Sequence, residues 1–531
     1  MLNDAGRRAA ARTAAAAVAL GAAAMGTPAA AAAPPAPEAA PAPRGLAWKP
    51  CPAKDPVEGG KLKGLECATL RVPLDHDRPA GKKITLALTR ARHTASTSNG
   101  AVLLNRGGPG AHGRDLPGFF RESLPAKVAA SYDWIGFDPR GVGASKPELI
   151  CDPGYQDPGR ARPDTIPAGP AEERAWTAKA RAFADDCARR YRAVLPHMGT
   201  ADWARDMDAI RRALGQRKIS YFGYSYGSYL GAVYATMYPG HVRRMVLDSV
   251  VRPSGVWYQN NLDQNVAFEK NIRAYFAWIA RHHTLYKLGD TERKVAAAYA
   301  KARAALKAKP IDGKIGPSEL DDAFLADGYA DLAWPAHARA LSAFVVRHDP
   351  GPLRKAWQPP SRLDQNNYTV YSAVQCRDAA WPRDWSRWHA DSERLYRTGN
   401  RFETWSNTWY NAPCAFWAVR GGPPPRVRGR STLPPILLVQ ASKDAATPYP
   451  GALETHRRFP TSRLLVQAGG RNHGVSLSGD DCVDRAVAAY LGGGRLPASR
   501  PGPDAKCQAP AAPEPGAGKK RHRVDQGAAQ R

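Results

Sequence analysis

The sequence predicts an α/β protein, a mostly parallel sheet flanked by helices and interrupted by an inserted, mainly helical cap. Three observations predict it. Short apolar runs that end in glycine or Asp-Pro turns alternate with runs of helical period, the rhythm of a parallel sheet covered by helices. That rhythm stops near residue 251 and resumes near residue 436. The stretch between is rich in Trp, Ala and Arg and carries helical runs such as 292–306, with no strand pattern.

The elements follow in chain order. Arg7, Arg8 and Arg12 precede a mostly apolar, alanine-rich run, and small residues follow at 29–33. Charged, apolar, cleavable is the order of a secretory signal peptide, so residues 1–33 read as one and the mature protein as secreted. Arg7-Arg8 leaves open whether export is twin-arginine or general. Residues 34–45 are an Ala/Pro-rich spacer. Residues 46–250 form the first part of the sheet domain. Within it, 101–105 and 133–137 are strands. Residues 200–214 are a helix with Trp203, Met207, Ile210 and Leu214 on one face, Thr200 as N-cap and Gly215 as stop. A strand at 218–222, a helix at 226–238 and a strand at 244–248 continue the pattern. Residues 251–425 are the helical cap. Residues 426–508 complete the sheet, with strands at 436–440 and 463–467 and a last helix at 482–491. Residues 509–531 read as a disordered basic tail.

With 531 residues, 43% of them hydrophobic, the chain is long enough for a sizeable core. No segment is long and apolar enough to span a membrane. The formal charge of +28 is spread along the chain. No zinc-finger or RNA-binding signature accompanies it, so the reading is a basic solvated surface without nucleic-acid binding. Weak electrostatic contact with an anionic cell surface is compatible with that charge. The eight cysteines contain no CxxC pair, which speaks against a zinc or redox site and, in an exported chain, for disulfides. Eight cysteines allow about a hundred complete pairings. Pairing of sequence neighbours is the simplest: Cys51 with Cys67, Cys151 with Cys187, Cys376 with Cys414, Cys482 with Cys507.

The chemistry is carried by Gly223-Tyr224-Ser225-Tyr226-Gly227. It fits G-x-S-x-G, a tight strand-to-helix turn that lifts a serine to a helix N-terminus, and it lies between an apolar strand and an apolar helix as that motif requires. A serine hydroxyl needs a base. In an α/β-hydrolase fold the acid and then the histidine follow the serine in sequence. Asp444, just after the strand at 436–440, and His473, just after the strand at 463–467, have that order and loop position. Asp480 and Asp481 follow the histidine and are in the wrong order. The oxyanion hole is expected from the N–H of Tyr226 and from Gly107-Gly108-Pro109-Gly110, with Gly108 preferred. Asp138-Pro139-Arg140-Gly141 reads as structural, with the arginine tying loops together. This chemistry needs no metal and no cofactor.

Together these motifs resemble the exported tripeptidyl aminopeptidase group, relatives of the proline iminopeptidases. The resemblance runs from about Trp48 to Cys507. It rests on the segment from Leu65 to Asp75, Gly107–Gly110, Phe137–Gly143, Gly223–Gly227, Asp444 with Thr447-Pro448, His473-Gly474 and the C-terminal run to Cys507. It implies a peptidase that releases short peptides, often tripeptides, from free N-termini, with buried cap carboxylates holding the substrate ammonium. Asp378 and the run Glu319, Asp321, Asp322 are candidates for that role, each more simply a solvated carboxylate. The chain departs from the group's pattern in three places. Arg106 stands where proline is frequent, His112 follows Ala111 where a small residue is more usual, and the segment 277–283 lacks a common cysteine pair. The second reading is an esterase or lipase-like hydrolase with the same three residues. A binding protein on a degenerate hydrolase fold and a cell-wall-binding module are further classes; the intact Ser225, Asp444 and His473 speak against the former, and salt-sensitive binding without turnover would mark the latter.

Overall fold

The computed structural model describes residues 45–156 and 159–515. The expected signal peptide, and the spacer except for Gly45, lie outside the described residues. The strands are β1 (Lys49–Pro50), β2 (Glu66–Pro73), β3 (Lys83–Ala91), β4 (Ala101–Asn105), β5 (Asp133–Asp138), β6 (Ile219–Tyr224), β7 (Val242–Asp248), β8 (Leu437–Ala441), β9 (Arg463–Ala468) and β10 (Ala505–Gln508). They form one sheet in the order β1-β2-β3-β5-β4-β6-β7-β8-β9-β10. Pairing is antiparallel from β1 to β5 and parallel from β5 through β4 to β10.

β4, β6 and β8 are buried at every residue, as strands covered by helices on both faces must be. Their continuous apolar runs are what the sequence pattern detects. β2 and β3 alternate buried with exposed positions on the antiparallel side, a fainter signal, and sequence pattern alone does not single them out. β10 lies beyond the expected last helix and extends the parallel edge beside β9.

The strand order turns at β4, which pairs β5 on one side and β6 on the other. Loops leaving β4 and β6 therefore part in opposite directions and open a crevice at the carboxyl ends of the strands, where open α/β sheets bind ligands. The helix Thr200–Ala213 buries Trp203, Met207 and Ile210 as expected. Its N-cap position is Gly199, not Thr200. The Thr200 N–H and hydroxyl both donate to the Asp378 carboxylate, each at 2.6 Å. The free helix end is thus satisfied by a distant side chain, which no local pattern announces.

Between β7 and β8 the described chain is built from helices. The helix Arg362–Asp378 packs into the main core through Tyr368, Val370 and Val374. The helices Tyr258–Arg281, Glu292–Ala308 and Trp334–Arg347 enclose a second core around Tyr275, Trp278 and Phe324. The helix Pro170–Tyr191, which precedes β6, joins this region by packing Trp176 against Trp405 and Trp409. The cap thus draws on sequence before residue 251 as well.

All four disulfides join sequence neighbours: Cys51–Cys67, Cys151–Cys187, Cys376–Cys414 and Cys482–Cys507. Part of the expected tail is held in place. The Ala509 N–H donates to Ala468 O, Trp278 Nε1 to Pro513 O at 3.0 Å, and Arg339 to Pro515 O at 2.7 Å. Residues 516–531 lie outside the described residues.

Arg140 is 1% exposed. It donates to Asp206 through Nε and Nη2, each at 2.7 Å, and to Leu74 O and His197 O. It therefore ties the loop after β5 to the turn after β2 and to the helix Thr200–Ala213. Replacing Arg140 by Met removes two hydrogen bonds from the buried Asp206 carboxylate and leaves it His76 alone, at 2.8 Å. A loss of about 3–5 kcal/mol of unfolding free energy is expected in urea denaturation; a change within about 0.5 kcal/mol would show that the pair is not structural.

Candidate active site

β6 ends at Tyr224 and the helix Tyr226–Met237 begins two residues later, so Ser225 turns the chain alone. Its backbone is at φ 56°, ψ −125°, a strained region for a residue with a side chain. The flanking glycines are needed for space. A Cβ on Gly223 would stand 2.4 Å from Gly227 O, and one on Gly227 would stand 2.7 Å from Asn105 Oδ1. The Ser225 N–H donates to Asp248 O at 2.9 Å.

His473 lies in the loop after β9 and is 2% exposed. Its Nδ1 is 3.0 and 2.9 Å from the two Asp444 oxygens. A carboxylate only accepts, so Nδ1 carries the proton and Nε2 presents its lone pair. Nε2 is buried and meets no hydrogen-bond partner among the described residues, Ser225 Oγ included. The His473 N–H donates to Tyr329 O at 2.8 Å, and the Tyr329 ring stands edge-on to the imidazole. Asp444, after β8, accepts from Ala446 N–H, Thr447 N–H and the Thr447 hydroxyl. Those bonds fix the carboxylate that orients the imidazole.

Asp248, at the end of β7, links the two halves. It is fully buried. Its carboxylate accepts from Val475 N–H and Ser476 N–H at 3.1 and 2.6 Å, just past the histidine. Its backbone oxygen holds Ser225. Burial pushes its carboxyl up, and the Ser476 and Val475 hydrogen bonds oppose that shift. Sequence reading does not find Asp248, because nothing in its strand-end position distinguishes it from a solvated carboxylate.

The loop after β4 comes against the serine. Gly107, Gly108 and Gly110 all have φ above 100°. A Cβ on Gly107 would stand 2.6 Å from Tyr224 O and 3.0 Å from Ser225 Cβ, so only glycine permits the approach. The Gly107 N–H is taken by Asn105 Oδ1. Gly108, Ser225 and Tyr226 line one cavity of about 660 Å³ between the strand ends and the helical insertion.

That cavity contains a residue the sequence does not point to. Glu403, at the start of the helix Thr404–Asn411, is 7% exposed, and its Oε2 has no hydrogen-bond partner. Burial pushes its carboxyl up to about 8. The four carboxylates that sequence suggests are each matched. Asp378 accepts from Thr200 and Trp257. Asp321 accepts from Arg303 and Tyr299, and Glu319 and Asp322 pair with Arg162. Glu403 sits among Trp and Tyr residues with no characteristic spacing, so no sequence signal marks it.

Comparison with known proteins shows the family. Residues 401–507, which carry Glu403, Asp444 and His473, match the family described as TAP-like protein. The chain is 42% identical to a tripeptidyl aminopeptidase of Streptomyces lividans, over 89% of this chain and 88% of that one. It is 31% identical to the serine protease Hip1 of Mycobacterium tuberculosis, over 87% of this chain and 91% of the other. A carboxylesterase B of the same organism is 29% identical, over 83% of this chain. A serine raised on a strand-to-helix turn, a histidine oriented by a carboxylate, and full-length likeness at this level lead to one conclusion: this chain belongs to the tripeptidyl aminopeptidase family of α/β-hydrolase serine hydrolases.

Proposed function

We propose that the protein is an exported serine aminopeptidase that releases short peptides, tripeptides foremost, from free N-termini. The observation that carries the reading is Glu403, a buried carboxyl without a partner in the cavity that holds Ser225. A buried carboxylate is costly unless paired, and a substrate ammonium is the partner it lacks. An ester site has no use for such a charge. Four disulfides support export, since such bonds persist in oxidising compartments. Among the described residues no helix is long and apolar enough to cross a membrane.

The mechanism follows from the donors and acceptors in place. His473 Nε2 takes the proton of the Ser225 hydroxyl as its oxygen attacks the scissile carbonyl. Asp444 stabilises the imidazolium that forms. The N–H groups of Tyr226 and Gly108 hold the oxyanion. His473 then gives its proton to the leaving amine, and the C–N bond breaks. Water, deprotonated by the same nitrogen, cleaves the acyl-serine ester. Glu403 fixes the ammonium end and thereby the distance from the N-terminus to the bond cut.

Replacing Ser225 by Ala is expected to lower kcat by roughly 10⁶-fold and abolish labelling by a fluorophosphonate, and Asp444→Asn to lower kcat by about 10⁴-fold. Labelling that persists at another serine would displace Ser225. A chromogenic free tripeptide should be cleaved faster than its N-acetylated form or a simple ester; turnover of the ester alone would replace the peptidase reading by the esterase one.

The pH profile tests Glu403. Below about 8 the empty site holds Glu403 protonated and unable to pair with an ammonium. An α-amino group itself loses its proton above about 8. The kcat/KM of a free-amine peptide should therefore rise with pH towards 8 and fall beyond. Glu403→Gln should cost about 2–5 kcal/mol in that ratio and reduce the rise to the one an acetylated substrate shows, whose turnover the substitution leaves unchanged. A profile the substitution leaves unchanged would exclude Glu403 as the anchor.

A further inference from the structure

Two of the departures noted in the sequence, Arg106 and His112, meet in one partly buried cluster at the ends of the glycine loop. Arg106 precedes the loop, and its Nη2 donates to both oxygens of Asp115 at 2.6 and 2.7 Å. His112 and Asp115 follow the loop. Glu58 reaches the same point from the segment after β1, where Asp55 accepts from its N–H and Arg114 donates to Asp55. Glu58 is 4% exposed, and neither of its carboxylate oxygens accepts a hydrogen bond. His112 Nε2 stands 3.4 Å from Glu58 Oε2 without making one. One ligand atom each from Glu58, His112 and Asp115 lie within 4.8 Å of one another.

Charge points the same way. Asp55, Glu58, Asp115 and Asp138 face Arg106 and Arg114, two more carboxylates than guanidiniums. Lys61, the further cation near Asp115, is exposed to solvent. Such an excess of carboxyls over guanidiniums must take up protons or find a cation. One divalent cation meets it.

We propose that Glu58, His112 and Asp115 bind a single divalent transition-metal ion that braces the glycine loop and takes no part in hydrolysis. One imidazole nitrogen and two carboxylate oxygens suit zinc, with water in the fourth position. Zinc bonds of about 2.1 Å bring ligand atoms to roughly 3.4 Å from one another. Side-chain movement of about 1 Å from the present positions achieves that. Asp115 retains Arg106, because a carboxylate has lone pairs for both. The ion would join the segment after β1 to the end of the loop that places Gly108 beside Ser225.

The test is calorimetric titration of chelator-treated mature protein with Zn²⁺, with thermal unfolding followed in parallel. One ion per chain and a raised Tm are expected. His112→Asn and Glu58→Gln should each weaken binding by more than the roughly 100-fold that loss of an outer partner causes, and should abolish the Tm increase. Should a variant fail to fold, the visible spectrum of the Co²⁺-loaded wild type decides: bands of a low-coordinate nitrogen–oxygen site support the proposal, and the spectrum of hydrated Co²⁺ overturns it. Zn²⁺ uptake equal in wild type and both variants would place the ion elsewhere and refute the site, as would absence of uptake by the wild type.

Discussion

The buried carboxylate of Asp248 is the constraint on which the site depends. It sits at the end of β7 with no access to water, so its charge must be met by protein donors. The donors are Val475 N–H, Ser476 N–H and the Ser249 hydroxyl. Satisfying that charge and shaping the histidine loop are therefore the same event. The backbone oxygen of the same residue receives the Ser225 N–H, which holds the strained turn in register with β7. Ser225 and His473 follow strands far apart in sequence, and Asp248 bonds to the backbone at the serine and just past the histidine. A positive φ at Ser225 persists because the turn is determined from several sides: Asp248 below, Gly107 in front, and the Ser228 hydroxyl bonded to Ser225 O.

Buried carboxylates elsewhere show what the protein does when no ligand is intended. Asp206 has Arg140, Asp138 has Arg114, Asp321 has Arg303 and Tyr299, and Asp378 has Thr200 and Trp257. Burial still pushes Asp321 and Asp378 up to about 6, so partners reduce the cost without removing it. Glu403 stands out against that practice. It lies in the cavity with one oxygen orphaned, and the proposed pairing with a substrate ammonium rests on that. Glu58 is likewise buried without a hydrogen-bond partner and does not line that cavity.

The helical insertion supplies the cavity's outer wall and its charge. Its two parts behave differently. The helix Arg362–Asp378 is continuous with the main core, and the Cys376–Cys414 disulfide joins it to the segment that follows the helix Thr404–Asn411. The helices around Tyr275 and Trp278 have a core of their own. The segment after β10 runs onto that second core, where Pro513 and Pro515 accept from Trp278 and Arg339. Glu403 begins the helix Thr404–Asn411, whose Trp405 and Trp409 pack with Trp176, while its neighbour Phe402 packs against the second core.

Much of this was legible in the sequence. The fully buried parallel strands announce themselves as continuous apolar runs, and Ser225, Asp444 and His473 stand at their ends in the order the fold demands. The neighbour pairing of the cysteines, the simplest available, is the one found. Local pattern suffices for these because burial on both faces, tight turns and chain order all act over a few residues. It does not suffice for the antiparallel strands β2 and β3, whose half-exposed faces blur the alternation, or for β10, which is short and pairs only with β9. Nor does it show that Thr200 is held by Asp378, that Asp248 joins the serine to the histidine loop, or that Glu403 faces the cavity while Asp321 is already paired. In each case the deciding quantity is which groups remain without a partner once the chain has closed. That depends on contacts between residues tens to hundreds of positions apart, so only the tertiary structure determines it.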